Sequence, residues 1–106
     1  MGDWITVEGD AALGEGQVLA ADLDGVPVLL VRHQGCVYAM ENRCTHDGSE
    51  MDGGHVDEAG AFVCPHHGAR FALKDGEALC APAYEPLTMF PVQVEAGCIQ
   101  LKDERW

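Results

Sequence analysis

Val26-Pro27-Val28-Leu29-Leu30-Val31-Arg32-His33-Gln34-Gly35-Cys36-Val37-Tyr38-Ala39-Met40 reads as two strands joined by a two-residue turn. Val26 to His33 is apolar and rich in β-branched residues, as a central strand is. Gln34-Gly35 breaks the pattern, and Cys36 to Met40 is the hairpin partner. Outward from this hairpin, the N-terminal side carries Trp4 to Val7 as a strand, a turn-rich connection over Ala11 to Gly16, and a strand over Gln17 to Asp22. Leu23-Asp24-Gly25 is a tight turn, since Asp-Gly readily supplies positive-φ hairpin geometry. On the C-terminal side, Ala61-Phe62-Val63 and Arg70 to Leu73 are short strands, and Lys74 to Glu77 is a turn. Ala81 to Pro86 is a proline-stiffened loop, Phe90 to Glu95 alternates as one strand, Ala96-Gly97 turns, and Cys98 to Lys102 closes the set. Residues 41–61 are rich in Asp, Glu, Gly and His with little periodicity, and read as a long functional loop. No long helical pattern and no internal repeat occurs. The expected fold is all-β, an antiparallel sandwich or small barrel of many short strands.

The 106 residues suffice for one domain with a modest core. No apolar run approaches the roughly 20 residues of a membrane-spanning helix. Met1 to Thr6 lacks a basic segment followed by an apolar one, so no export signal is expected and the cytoplasm is the expected location. Five cysteines, an odd number, argue against a fully paired disulfide framework and leave thiols for a metal or for burial. The net charge of −12 disfavours nucleic acid and suits steering toward a partner with a basic surface.

Two segments carry chemistry: Cys44-Thr45-His46 and Cys64-Pro65-His66-His67-Gly68, separated by residues 47–63. Thiolate with imidazole suits zinc, iron or copper and disfavours magnesium and calcium. A zinc finger usually places both cysteines on a hairpin and both histidines on a helix. Here the order is Cys, His, Cys, His, with no helical pattern after Cys64. One thiolate and one imidazole per segment is what a [2Fe-2S] cluster needs when two imidazoles replace two thiolates on one iron. Cys44 and Cys64 then hold one iron and His46 and His67 the other, with the adjacent His66 competing for the fourth position.

Cys44-x-His46 followed by Cys64-x-x-His67-Gly68 resembles the Rieske iron–sulfur motif. The order of loops, hairpins and proline segment resembles, over nearly the whole chain, the small Rieske-type ferredoxins of bacterial aromatic-ring-hydroxylating oxygenase systems. The resemblance assigns Cys44, His46, Cys64 and His67 as ligands of one [2Fe-2S] cluster. It implies a cluster-binding subdomain over about 42–72 set into a basal subdomain formed by the remainder of a single domain, 1–106. It also implies that the histidine-ligated iron lies nearer the surface, and that Pro82 sits in a third loop shielding the cluster. Respiratory Rieske proteins carry an extra cysteine in each loop, joined as a disulfide. Here the corresponding positions are Asp47 or Gly48 and His66. Those proteins also place hydroxyl donors where this chain has Ala69 and Phe71. Fewer hydrogen bonds to cluster sulfur lower the potential, so a value near −150 mV, toward the bottom of the Rieske range, is expected.

The function implied is a soluble, monomeric carrier of single electrons. Its donor would be a flavin-containing NAD(P)H-dependent ferredoxin reductase, and its acceptor a terminal oxygenase of aromatic hydrocarbon catabolism. No catalytic residue is expected. No 2-His-1-carboxylate site is separable from the four ligands, and no nucleophile–base pair stands out. Three alternatives remain at this point: an electron-transfer subunit of another redox enzyme, such as a nitrite reductase complex; a structural zinc module; and a redox sensor that binds DNA or a regulator, where the charge of −12 argues against DNA. Of the other residues, Cys36 and Cys98 are expected to be buried thiols within strands, and Cys80, just before the proline loop, to lie near the cluster. His33 and His55 are expected to be surface or turn histidines. Trp4 is expected to pack on the core, and Trp106 there or at a docking surface. Gly48, Gly53, Gly54 and Gly68 are expected to shape the cluster loops, with a plain turn role equally open for Gly53 and Gly54.

Overall fold

The computed structural model of the chain describes residues 4–9, 11, 13–23, 25–43, 51, 53–65, 68–79 and 86–102. Ten strands run in the order β1 (Ile5–Gly9), β2 (Val18–Leu23), β3 (Val26–His33), β4 (Cys36–Glu41), β5 (His55–Val56), β6 (Ala61–Val63), β7 (Arg70–Ala72), β8 (Met89–Phe90), β9 (Val92–Glu95) and β10 (Cys98–Leu101). They form three antiparallel sheets, ordered β1-β10-β9, β2-β3-β4-β8 and β5-β6-β7. Among the described residues there is no α-helix. The all-β expectation is met.

β3 explains why the opening hairpin reads as a continuous apolar run. Successive side chains on a strand face opposite ways. Val28 and Leu30 enter one core with Leu13, Leu23, Ala39, Phe90, Ile99 and Leu101, while Leu29 and Val31 enter a second core with Met40, Met51, Phe62 and Phe71. All four residues from Val28 to Val31 are fully buried. The sheet containing β3 is therefore a shared wall. Behind it lies the core of a barrel closed with the sheet β1-β10-β9 through β1 against β2 and β4 against β9; in front lies the small sheet β5-β6-β7.

The turn at Gln34-Gly35 has both residues at positive φ, 52° and 80°, the geometry that matches the twist of a tight hairpin. Gln34 has a side chain and gains support from outside. The Glu15 carboxylate accepts the backbone N–H groups of Gln34 and Gly35 at 2.6 and 2.9 Å. These bonds, Gly35 first, hold the Glu15 carboxyl below the usual carboxylate range. The Ala11–Gly16 connection is tied to β3 as well: Gly16 N–H donates to Arg32 O at 2.7 Å, and Arg32 Nε donates to Leu13 O at 2.8 Å.

Four expectations need correction. The single strand expected over Phe90–Glu95 is two. Phe90 pairs with Ala39 in one sheet and Val92 with Leu101 in another. Pro91 between them has no N–H to give either ladder, so it is the corner where the chain changes sheets. Residues 41–61 are not all loop, because β5 pairs His55 with Val63 and Val56 with Phe62, and Met51 is fully buried. Cys36 is exposed and Cys98 only partly covered. Each is the first residue after a hairpin turn, where the strand has barely entered the sheet. Trp4 is half-buried rather than in either core, and the Lys102 ammonium lies 4.8 Å from its ring centroid. His55 is exposed and His33 is half-buried, as surface and turn positions require.

Candidate metal centre

Of the four expected ligands, Cys64 lies within the described residues; Cys44, His46 and His67 lie outside them, as do His66, Cys80, Pro82 and Trp106. The structure therefore builds the site through Cys64 and through the residues that bound each motif.

β6 delivers Cys64 directly from Val63. The Cys64 N–H donates to Ala69 O at 2.8 Å, and the Gly68 N–H donates back to Cys64 O at 3.1 Å. Residues 64–69 thus close on themselves between β6 and β7. Gly68 takes φ +73°, a conformation that favours glycine, so its loop-shaping role is met. Cys64 is 1% exposed and belongs to the apolar core with Met51, Phe62, Ala69 and Phe71. Thiolate is the metal-binding form of cysteine, and burial in apolar surroundings opposes it unless a cation compensates. A water-free cysteine at the mouth of a loop that returns on itself suits a ligand of a cationic iron centre. Ala69 and Phe71 are both fully buried in the same core, and neither carries a hydroxyl to offer a sulfur.

The first motif leaves the barrel at Asn42. The Asn42 N–H donates to Pro27 O at 2.9 Å, and the preceding Glu41 N–H to Thr88 O at 2.8 Å. The Asn42 side chain turns inward: Oδ1 accepts the Met51 N–H at 2.5 Å. Met51 O in turn accepts the Gly54 N–H at 3.1 Å. Gly54 lies flat against β6. A Cβ at this position would collide with the Val63 carbonyl oxygen and lie 2.5 Å from Phe62 Cζ. That decides the open question at Gly54, which is a close-approach glycine; Gly53, at φ +101° in open space, is a turn glycine.

The small sheet has one electrostatic anchor. Asp57 Oδ1 accepts the N–H groups of Ala59 and Ala61 at 2.9 and 3.0 Å, closing the β5–β6 connection. Its Oδ2 accepts Arg70 Nε at 2.8 Å and pairs with Arg70 Nη2 at 2.7 Å. Arg70 faces Val63 across the β6–β7 ladder, next to Cys64. The Ala61 N–H bond, followed by the Arg70 side chain, holds the Asp57 carboxyl below its usual range against the opposing effect of burial.

A Rieske [2Fe-2S] domain model matches residues 3–91 of the chain. The chain belongs to the Rieske [2Fe-2S] family. It is 42% identical over 89 residues to the 3-phenylpropionate/cinnamic acid dioxygenase ferredoxin subunit of Escherichia coli K12, a match covering 84% of this chain and 83% of that one. Among solved structures it is similar to the ferredoxin of carbazole 1,9a-dioxygenase from Nocardioides aromaticivorans IC177, with a TM-score of 0.87 and 29% identity over 94% of this chain and 97% of that one. It also matches a chain in the complex of reduced oxygenase and oxidized ferredoxin in carbazole 1,9a-dioxygenase, with a TM-score of 0.83 and 27% identity over 92% and 91% of the two chains.

For a Rieske protein the cofactor is a [2Fe-2S] cluster, which removes the structural-zinc alternative. Sequence reasoning singled out Cys64 and Gly68, and passed over Asn42, Met51 and the Asp57–Arg70 pair. The signals available were an Asn between an apolar strand and the first ligand motif, and an Asp two and four residues before Ala59 and Ala61 in a turn-rich stretch.

Proposed function

We propose that this Rieske protein is the ferredoxin of an aromatic-ring-hydroxylating dioxygenase system. It is an electron-transfer component rather than a catalyst. The cluster, when bound, supplies a one-electron couple; the chain supplies its ligands, its dry inner wall and its surface. Cys44 and Cys64 hold one iron and His46 and His67 the other, within a subdomain spanning about 42–72. The donor is a flavin-containing NAD(P)H reductase and the acceptor a terminal oxygenase. The chain works as a cytoplasmic monomer. No helix among the described residues is long and apolar enough to cross a membrane.

The observation that carries the reading is the placement of Cys64, buried to 1% at the mouth of a closed loop in a Rieske fold. The partner assignment is supported by the ferredoxin subunits of dioxygenases that the chain resembles along most of its length. Reconstitution tests it. The purified protein is mixed with an aromatic-ring dioxygenase terminal component and a flavoprotein reductase. NAD(P)H oxidation coupled to ring hydroxylation, dependent on this chain, is expected. Coupling to a nitrite reductase complex and not to the oxygenase would replace the proposal with that alternative.

A further inference from the structure

We propose that Asn42 is a positioning residue that fixes the first ligand segment relative to the second; this rests on Cys44 and His46 being ligands. Asn42 is 4% exposed, and it is the buried polar residue among those described. Its backbone belongs to the barrel through Pro27 O, while its side chain reaches across the base of residues 43–50 to the Met51 N–H. Met51 is fully buried in the core that holds Cys64. From Met51 the connection continues by hydrogen bond to Gly54, by direct contact from Gly54 to Val63 and Phe62, and along the backbone to Cys64. One unbroken route therefore links the start of the Cys44 segment to the Cys64 segment. A four-ligand centre drawn from two segments requires their separation to be held constant. The Asn42 bond to Met51 joins the two ends of residues 43–50 by a directed contact, beside the packing of Met51 with Met40 in one core.

The Asn42 side chain is suited to this because an amide oxygen accepts the Met51 N–H without placing a charge beside the cluster. Without that acceptor the buried N–H loses its partner, and the two ends of the segment are no longer tied. The consequence expected is local: greater variation in cluster geometry and easier loss of iron, beyond what the change in overall stability explains.

The test uses the holoprotein and the variants Asn42→Ser, whose hydroxyl falls short of Met51, and Asn42→Asp, which keeps an acceptor oxygen in place. A barrel-core variant, Ile99→Val, controls for general destabilisation. The readouts are electron paramagnetic resonance of the reduced protein and the rate of iron release to a chelator well below the thermal transition. Asn42→Ser is expected to broaden the cluster signal and to release iron about tenfold faster or more. Asn42→Asp keeps the acceptor but buries a charge, and is expected to release iron more slowly than Asn42→Ser without matching wild type. Ile99→Val is expected to lower the melting temperature without broadening. An unchanged signal and release rate in Asn42→Ser, the same broadening in Ile99→Val, or iron release from Asn42→Asp as fast as from Asn42→Ser would each overturn the inference. Absence of a mixed-ligand cluster signal from wild type itself would overturn the ligand reading on which it rests.

Discussion

The barrel and the small sheet in front of it are held together by different means. The barrel has strands of up to eight residues and a core of Leu, Val, Ile and Phe side chains, closed by positive-φ turns at Gln34-Gly35 and Ala96-Gly97. The small sheet has strands of two and three residues. Strands that short supply little ladder and little area of their own. They are fixed by side chains bonded to backbone, at Asp57 and Asn42, and by the flat approach of Gly54. Burial is tolerant of small errors, because it depends on area and volume. A clamp made of one hydrogen bond or one missing methyl group is not. The part of the molecule proposed to hold metal ligands in register is thus the part most dependent on individual atoms.

The largest expected effects come from cutting either core where they share a strand. Leu30→Ala opens the barrel core and Leu29→Ala the core containing Cys64; each is expected to cost about 2–5 kcal/mol in thermal or denaturant unfolding. The comparison is sharpened by iron release under native conditions, which Leu29→Ala accelerates more than Leu30→Ala. Equal acceleration would mean the two cores act as one. Next is Gly54→Ala, expected to cost about 1–3 kcal/mol by overpacking and to reduce cluster incorporation, read as iron per chain. Gly97→Ala in a barrel turn meets no neighbour within 4 Å and bears its strain through φ +78° alone. It should cost about 1–2 kcal/mol and load a full cluster.

Smaller is the Asp57 clamp. Its carboxyl is held below the usual value in the folded protein, so its contribution is present above the unfolded pKa and lost as pH falls through the lowered folded one. Wild type is therefore expected to lose stability below about pH 4 through this group. Asp57→Asn should be less stable at neutral pH and show a flatter acid limb, by melting temperature against pH. A parallel profile for the two proteins would contradict the clamp. Smallest is Ala69→Ser, which places a hydroxyl in the buried wall next to Cys64. If it donates to sulfur, the midpoint potential should rise by roughly 40–60 mV, the one-electron equivalent of about 1–1.5 kcal/mol.

The same division decides what could be read in the sequence. β3 was legible because the residue run and the turn both follow from local rules, and the structure places β3 over Val26–His33 as expected. The motif singled out Cys64 and Gly68 because it is short and its spacing is chemical, and the structure shows the one buried and the other at positive φ. β5 was not: two residues cannot show a period. The break at Pro91 was hidden because alternation continues through it while the sheet partner changes. Cys36 and Cys98 misled because strand membership says which face a residue takes, not whether anything covers the strand end. Asn42 and Gly54 carried no periodic signal at all, since each is defined by a contact with residues distant along the chain, Met51 for one and Val63 for the other.

Mixed Cys/His ligation of one [2Fe-2S] cluster by the two segments is the proposal on which the others depend. Electron paramagnetic resonance of the reduced protein, with nitrogen hyperfine couplings resolved and a redox titration alongside, tests it most directly. A single cluster per chain with two histidine nitrogens is expected, lost in His67→Cys and retained in His66→Ala, with a midpoint near −150 mV. A colourless protein holding zinc, a cluster without nitrogen couplings, or a midpoint well above zero would contradict it.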